Sequence, residues 1–160
     1  METNIKDKIE YKLVNASFDD IDMLINYKLS TIYEYAGELD KEEKNRIDKY
    51  VNEEVKKCID KYKVIMVDSE KIGAYLVDDY DNGKILDEIY IIENYRCKGI
   101  GRKIIEDILK QHIVVYLWVY KMNEKALRLY KGLGFNIEEE TESRYFMKYV
   151  RKEDINDNNI

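Results

Sequence analysis

Eight residues, Arg96-Cys97-Lys98-Gly99-Ile100-Gly101-Arg102-Lys103, concentrate the chemistry that this sequence offers. They hold four cations and no acid, inside a chain whose 27 basic and 33 acidic residues leave a net charge of −6. The segment follows an apolar, strand-like run and opens a stretch with helical spacing. Two glycines without Cβ let the backbone approach a ligand closely. The first N–H groups of a helix have no partner within it and point outward beside the positive end of its dipole. The combination predicts an anion cradle suited to a diphosphate or polyphosphate. The spacing is not G-x-x-x-x-G-K-[ST], and the third glycine of a dinucleotide fingerprint is missing, so neither nucleotide motif is supported.

Arg96-x-x-Gly99-x-Gly101 resembles the pyrophosphate motif of the GNAT acetyltransferase superfamily. Asn123-Glu-Lys-Ala-Leu-Arg-Leu-Tyr-Lys-Gly-Leu-Gly-Phe135 resembles that family's second signature, and the likeness extends from about Val64 to Tyr149, including Tyr145-Phe146-Met147-Lys148. The resemblance implies acetyl-CoA as co-substrate. Backbone groups of Ile91 and Ile92 would pair with its pantetheine arm. Amides from Cys97 through Lys98, Gly99, Ile100 and Gly101 to Arg102 would hold its pyrophosphate, with the Arg96 and Lys103 cations beside them. Asn123 would contact the arm from the other side, and Tyr130 would face the thioester sulfur. Asn123 and Tyr130 stand seven residues apart, about two helical turns, so one side of a helix accommodates both. One departure is the proline frequent before Arg96, replaced here by Glu93-Asn94-Tyr95; the approach to the cradle is expected to be looser.

An amine attacking a thioester must arrive neutral, yet a Lys-like amine has a pKa near 10.4, so a base has to remove a proton. Asp87 and Glu88 interrupt the apolar run Ile85–Ile92, where charge is costly unless it serves a cleft or finds a partner. Strict alternation places Glu88 on one face with Leu86, Tyr90 and Ile92. Glu88 is the first candidate base, a backbone N–H near Ile91 the donor to the carbonyl oxygen, and Tyr130 the acid for the departing thiolate. His112, the single histidine, lacks metal-ligand neighbours and reads as a solvent-facing helix end, so no metal is expected. Cys97 and Trp118 read as an incidental thiol and a core aromatic.

Elements that would position these residues are set by periodicity. Glu10–Val14 alternates as a strand, and Ser17 with Asp20 forms a capping box before a first helix that runs to Gly37. Asp40 with Glu43 caps a second helix whose stripe is Ile47, Val51, Val55, Ile59 and Tyr62. Val64–Val67, Ile72–Val77 and Ile85–Ile92 form a meander. A helix from Ile100, the strand Ile113–Tyr120, and a helix closed by Gly132 and Gly134 come next. Phe135–Glu138 and Arg144–Val150 are the last strands. The order β-α-α-β-β-β-α-β-α-β-β is an α/β mixed sheet flanked by helices, in agreement with the GNAT fold. Residues 1–150 read as one domain and residues 151–160 as a frayed polar tail.

The 160 residues suffice for one sizeable core, and proline is absent, so Gly, Asn and Asp must make the turns. The acidic balance argues against nucleic acid or anionic membrane as partners. No leader is read in Met1–Glu10, the longest apolar run, Ile113–Tyr120, is eight residues, and Cys58 and Cys97 form no C-x-x-C pair; a cytoplasmic protein is expected. The whole net charge lies in residues 1–80, with 19 acids against 13 bases. In the family this sequence resembles, the two N-terminal helices wall the acceptor site, so the resemblance implies that Glu34, Glu38, Tyr33 and Tyr35 receive a cationic amine, whether a small molecule or a protein N-terminus. Homodimerisation stays open. The expected activity is N-acetyl transfer through a ternary complex; the alternative is a non-catalytic acyl-CoA-binding regulatory module.

Overall fold

A computed structural model describes residues 8–152. Seven strands and four helices follow one another as β1 (Lys12–Asn15), α1 (Ile21–Tyr35), α2 (Lys41–Lys57), β2 (Tyr62–Val67), β3 (Glu70–Tyr80), β4 (Gly83–Ile91), α3 (Ile100–Gln111), β5 (Val114–Tyr120), α4 (Glu124–Leu133), β6 (Asn136–Glu140) and β7 (Arg144–Val150). The expected order and fold class hold. Both capping boxes form: Ser17 N–H donates to Asp20 at 2.9 Å, and Glu43 N–H donates to Asp40 at 2.8 Å. Residues 1–7 and 153–160, which include most of the expected tail, lie outside the described residues.

The second helix differs from expectation at its end. It stops at Lys57, Ile59 lies in a 3₁₀ turn, and Tyr62 opens β2. Tyr62 keeps the apolar surroundings that its helical spacing suggested, because its side chain sinks between the sheet and the helices with Leu24, Val51, Val55 and Leu76. A residue at the joint of a helix and a strand satisfies both periodicities, and the pairing Tyr62↔Leu76 decides for the strand.

The strands form one sheet in the order β1-β2-β3-β4-β5-β7-β6. All neighbours are antiparallel except β4 and β5, which are joined by α3 and run parallel. Helices α1 and α2 cover one face of the β2–β4 half, with Leu24, Val51, Val55 and Leu76 in the layer between. Helices α3 and α4 cover the opposite face, with Ile65, Leu86, Ile104, Leu117 and Met147 in the layer between. Burying such side chains contributes about 1.5–3 kcal/mol each against exposure. Gly73 permits a close approach: a Cβ there would stand 2.2 Å from the carbonyl oxygen of Tyr90. Among the described residues no helix is long and apolar enough to cross a membrane.

Two irregularities in β4 shape its surroundings. First, β4 and β5 pair only at Lys84↔Val115, Ile85↔Tyr116 and Leu86↔Leu117, so beyond Leu86 the parallel strands separate. Second, the register with β3 passes from Val77↔Leu86 to Leu76↔Glu88, leaving Asp87 as an extra residue in a β-bulge. The bulge overturns the expected alternation. Leu86 packs with the α3 layer, whereas Tyr62 and Tyr90, the row neighbours of Glu88, lie in the α1–α2 layer. Glu88 therefore shares a face with Tyr90 and Ile92 but not with Leu86.

Candidate active site

Where β4 and β5 separate, a cleft of about 880 Å³ opens, walled by α1, the start of α2, both strands and α4. Asp87, Glu88, Ile89, Asn123 and Tyr130 line it. The residues from Arg96 to Lys103 do not. They lie farther along the chain from β4, past Ile91 and a 3₁₀ turn at Glu93–Tyr95. That turn is closed by Tyr95 N–H to Ile92 O (3.0 Å) and Arg96 N–H to Glu93 O (3.1 Å), and the Tyr95 hydroxyl donates to Glu70 at 2.8 Å. The approach to the cradle is thus held in place rather than loose, because backbone bonds replace the constraint a proline would supply.

The cradle is built from backbone. Gly99 caps α3 at φ +88°, and Cys97 also takes a left-handed φ of 60°. Lys103 is the first amide to reach a carbonyl in the helix, that of Gly99 at 3.0 Å, which frees the N–H groups of Ile100, Gly101 and Arg102 for a ligand. Gly101 lies against Ile91: a Cβ would stand 3.2 Å from its Cδ1. The cations contribute less than the sequence suggests. Arg102 pairs with Glu106 and Lys103 with Asp107, both at 2.9 Å and one turn along the helix. Arg96 folds back, its Nε donating to Ile91 O at 2.6 Å and its guanidinium lying 5.2 Å from the Tyr90 ring centre. Among the described residues, only Lys98 of the four makes no such bond; its ammonium lies 5.9 Å from the Tyr95 ring centre.

Ile91 and Ile92 separate in role. Ile92 N–H donates to Ile72 O at 2.8 Å, and Ile92 O accepts from Tyr95 N–H. That bond makes Gly73↔Ile91 a non-hydrogen-bonded pair, in which the Ile91 N–H turns away from β3. Among the described residues no strand meets it on that side beyond Leu86. The Ile91 N–H is thus a free donor between cleft and cradle, and Ile92 is committed to the sheet and turn.

Burial pushes the Glu88 carboxyl up to about 7; a hydrogen bond from the Tyr62 hydroxyl to Oε2 (2.7 Å) and the Lys28 ammonium oppose that rise, and Asp87 adds to it. Lys28 stands 3.8 Å from Asp87. Tyr130 is buried, edge-on to Phe135 at 5.7 Å, and loss of water pushes its phenol up to about 12, so it stays protonated at neutral pH. Among the described residues its hydroxyl has no partner while every fully buried side-chain polar atom has one, so this hydroxyl opens to the cleft. Asn123 caps α4, its Oδ1 accepting from Ala126 N–H at 3.2 Å, which leaves its side-chain NH₂ for a ligand.

Other expectations change. Glu38 and Tyr35 line the cleft, whereas exposed Tyr33 bonds Asp48 and neither it nor Glu34 reaches the wall. Glu43, read from the sequence only as a helix cap, and Glu142, which sequence reasoning did not single out, join Glu38 there. Trp118, expected in the core, is half-buried at its edge: it packs against Phe146 and lines the cleft beneath the Arg144 guanidinium, 4.6 Å away. His112 is half-buried at the end of α3 rather than facing solvent. Among the described residues no metal-binding cluster occurs.

Residues 60–137 match the family described as the acetyltransferase (GNAT) domain. That stretch of the chain is similar to a GNAT domain. The spermine/spermidine N(1)-acetyltransferase of Bacillus subtilis (strain 168) is 35% identical over 66 residues, a stretch that spans 36% of this chain and 43% of that relative. The curated relatives are thus matched over less than half their length. Among solved structures, the PaiA N-acetyltransferase of Thermoplasma acidophilum in complex with coenzyme A superposes with a TM-score of 0.70 at 21% identity, covering 89% of this chain and 99% of that one. Ard1 of Thermoplasma volcanium superposes at 0.66 with 17% identity and the same coverage. At these identities the structural likeness establishes the GNAT fold, with the separated β4 and β5 of this chain inside it.

Proposed function

We propose that the protein transfers the acetyl group of acetyl-CoA to a primary amine in a ternary complex, with residues up to 150 acting as one domain. The observation that carries this reading is the placement of Glu88 and Tyr130 on one cleft, joined through the free Ile91 N–H to an amide cradle at the start of α3. The free amides, the absence of a Cβ at Gly99 and Gly101 and the Lys98 charge fit a pyrophosphate. Acetyl-CoA supplies an acetyl group already activated as a thioester.

Glu88 takes one proton from the acceptor's ammonium group and frees the nitrogen lone pair. The Ile91 N–H donates to the carbonyl oxygen as charge builds there. The C–N bond forms, the C–S bond breaks, and the Tyr130 hydroxyl gives its proton to the departing thiolate. The second nitrogen proton restores Tyr130, and Glu88 returns its proton to solvent. A polyamine is the acceptor we favour. The name of the Bacillus relative supports it, as do Glu38, Glu43 and Glu142 on the cleft wall, which suit a substrate with several ammonium groups. The two cysteines, both free, support a reducing compartment.

Calorimetric titration with acetyl-CoA, followed by thiol release with spermidine as acceptor, tests the proposal. We expect binding and release, with Tyr130→Phe losing tenfold or more in kcat, about 1.4 kcal/mol, while it keeps acetyl-CoA affinity. Binding without thiol release for any amine or peptide N-terminus would replace the enzyme with an acyl-CoA-binding module. No binding would overturn both.

A further inference from the structure

Tyr62, Leu76 and Glu88 form one row across three adjacent strands, through the pairs Tyr62↔Leu76 and Leu76↔Glu88. Neighbouring strands stand about 4.8 Å apart, so the ends of this row are roughly 10 Å apart, a gap that a tyrosine and a glutamate close together. Tyr62 is 1% exposed, and its hydroxyl reaches over Leu76 to donate to Oε2 of Glu88 at 2.7 Å. The Asp87 bulge puts Glu88 in this row; with regular alternation Glu88 would fall on the opposite face from Tyr62.

A hydroxyl in an apolar layer is costly unless it is bonded, and phenylalanine would fill the same volume. Packing therefore asks only for the ring of Tyr62. The hydroxyl serves the carboxylate. The nearby ammonium, Lys28, approaches Asp87 instead, so Glu88 is held by a neutral donor that orients it without the full loss of basicity an ion pair would bring. Among the described residues Oε1 has no partner, and as no fully buried side-chain polar atom is left without one, Oε1 opens to the cleft.

We propose that Tyr62 is a positioning residue for this reaction: its hydroxyl holds Oε2 of Glu88 so that Oε1 alone takes the acceptor's proton. The inference rests on Glu88 being the base. The groups that act on Glu88 are Tyr62 from β2, Lys28 from α1 and Asp87 beside it on β4. Tyr62 and Lys28 favour the carboxylate; burial and Asp87 favour the acid.

Carbon-13 NMR of protein labelled at the glutamate carboxyls reads Glu88 without any acceptor, its resonance assigned by its absence in Glu88→Gln. Tyr62→Phe should move the Glu88 midpoint up by roughly one pH unit. The acid limb of kcat should move with it, a loss of about fivefold at pH 7, with the acetyl-CoA KM held within twofold. A fluorinated tyrosine at position 62, a stronger donor of nearly the same shape, should move the midpoint down and does not depend on Tyr62→Phe folding. A Glu88 midpoint unmoved by either change overturns the positioning role while leaving Glu88 as base. Full kcat in Glu88→Gln overturns the base itself, and the positioning role with it.

Discussion

The two sides of the β4–β5 separation are made of different material. Beyond Ile91, the cradle is backbone: amides of Ile100, Gly101 and Arg102, a left-handed Gly99, and cations largely engaged with Glu106, Asp107 and Ile91 O. Across the cleft, the wall proposed to meet an acceptor is side chain: Glu38 after α1, Glu43 in α2, Glu142 before β7, and Glu88 held by Tyr62. A backbone site tolerates exchange of most side chains and fails when a Cβ intrudes. A side-chain site keeps its shape and changes its preferences one charge at a time. The proposed chemistry divides accordingly, with the common co-substrate on the first surface and the selected acceptor on the second.

The greatest loss is expected on the backbone side. Gly101→Glu places a Cβ 3.2 Å from Ile91 Cδ1 and a carboxylate among the amides proposed to hold phosphate. Acetyl-CoA affinity should fall about a hundredfold, roughly 2.7 kcal/mol, by calorimetry; a drop under threefold would break the contrast.

Glu88 gives the next effect, and it is read in stability. Its carboxyl ionises at about 7 in the fold against 4.5 ordinarily, so the folded state binds the proton more tightly than the unfolded chain. The resulting stabilisation is complete below pH 4.5 and is lost as pH rises through about 7. Glu88→Gln, which cannot ionise, should therefore gain about 1–3 kcal/mol on the parent protein between pH 5 and pH 8 in urea titrations. A difference that is flat with pH would mean that Glu88 is not held in a desolvated place.

Smaller effects come from the rim. Glu38→Gln with Glu43→Gln should raise KM for spermidine several-fold and flatten its salt dependence, each exposed charge being worth about 0.2–1 kcal/mol. An unchanged KM would remove the acidic wall from acceptor selection. Smallest is Cys97→Gly, which relieves the left-handed φ of 60° and should add about 0.5 kcal/mol of stability.

Much of this was legible because it is local. Ser17 with Asp20 and Asp40 with Glu43 each complete a capping box within four residues, and the glycine spacing of Arg96–Gly101 marks a helix start. The pairing of Arg102 with Glu106 and Lys103 with Asp107 was equally local, at i and i+4, yet counting cations within eight residues concealed it. The face of Glu88 was not legible, since the Asp87 bulge exists only in the register between β3 and β4. Tyr62 carried a helical signal and went to a strand, and its bond to Glu88 joins positions 26 residues apart.

Caps, glycines and apolar periods act over one or two turns of chain, so the element order and the amide cradle are written in the sequence alone, whereas Tyr130 was found through the resemblance of Asn123–Phe135 to a family signature. Packing settled which carboxylates face the cleft, that Ile91 and not Ile92 keeps a free N–H, and that Tyr62 holds Glu88. Each of those depends on which strands pair, in what register, and where the pairing between β4 and β5 stops. Strand pairing joins residues distant in sequence, and one extra residue in a strand reverses the face of those after it.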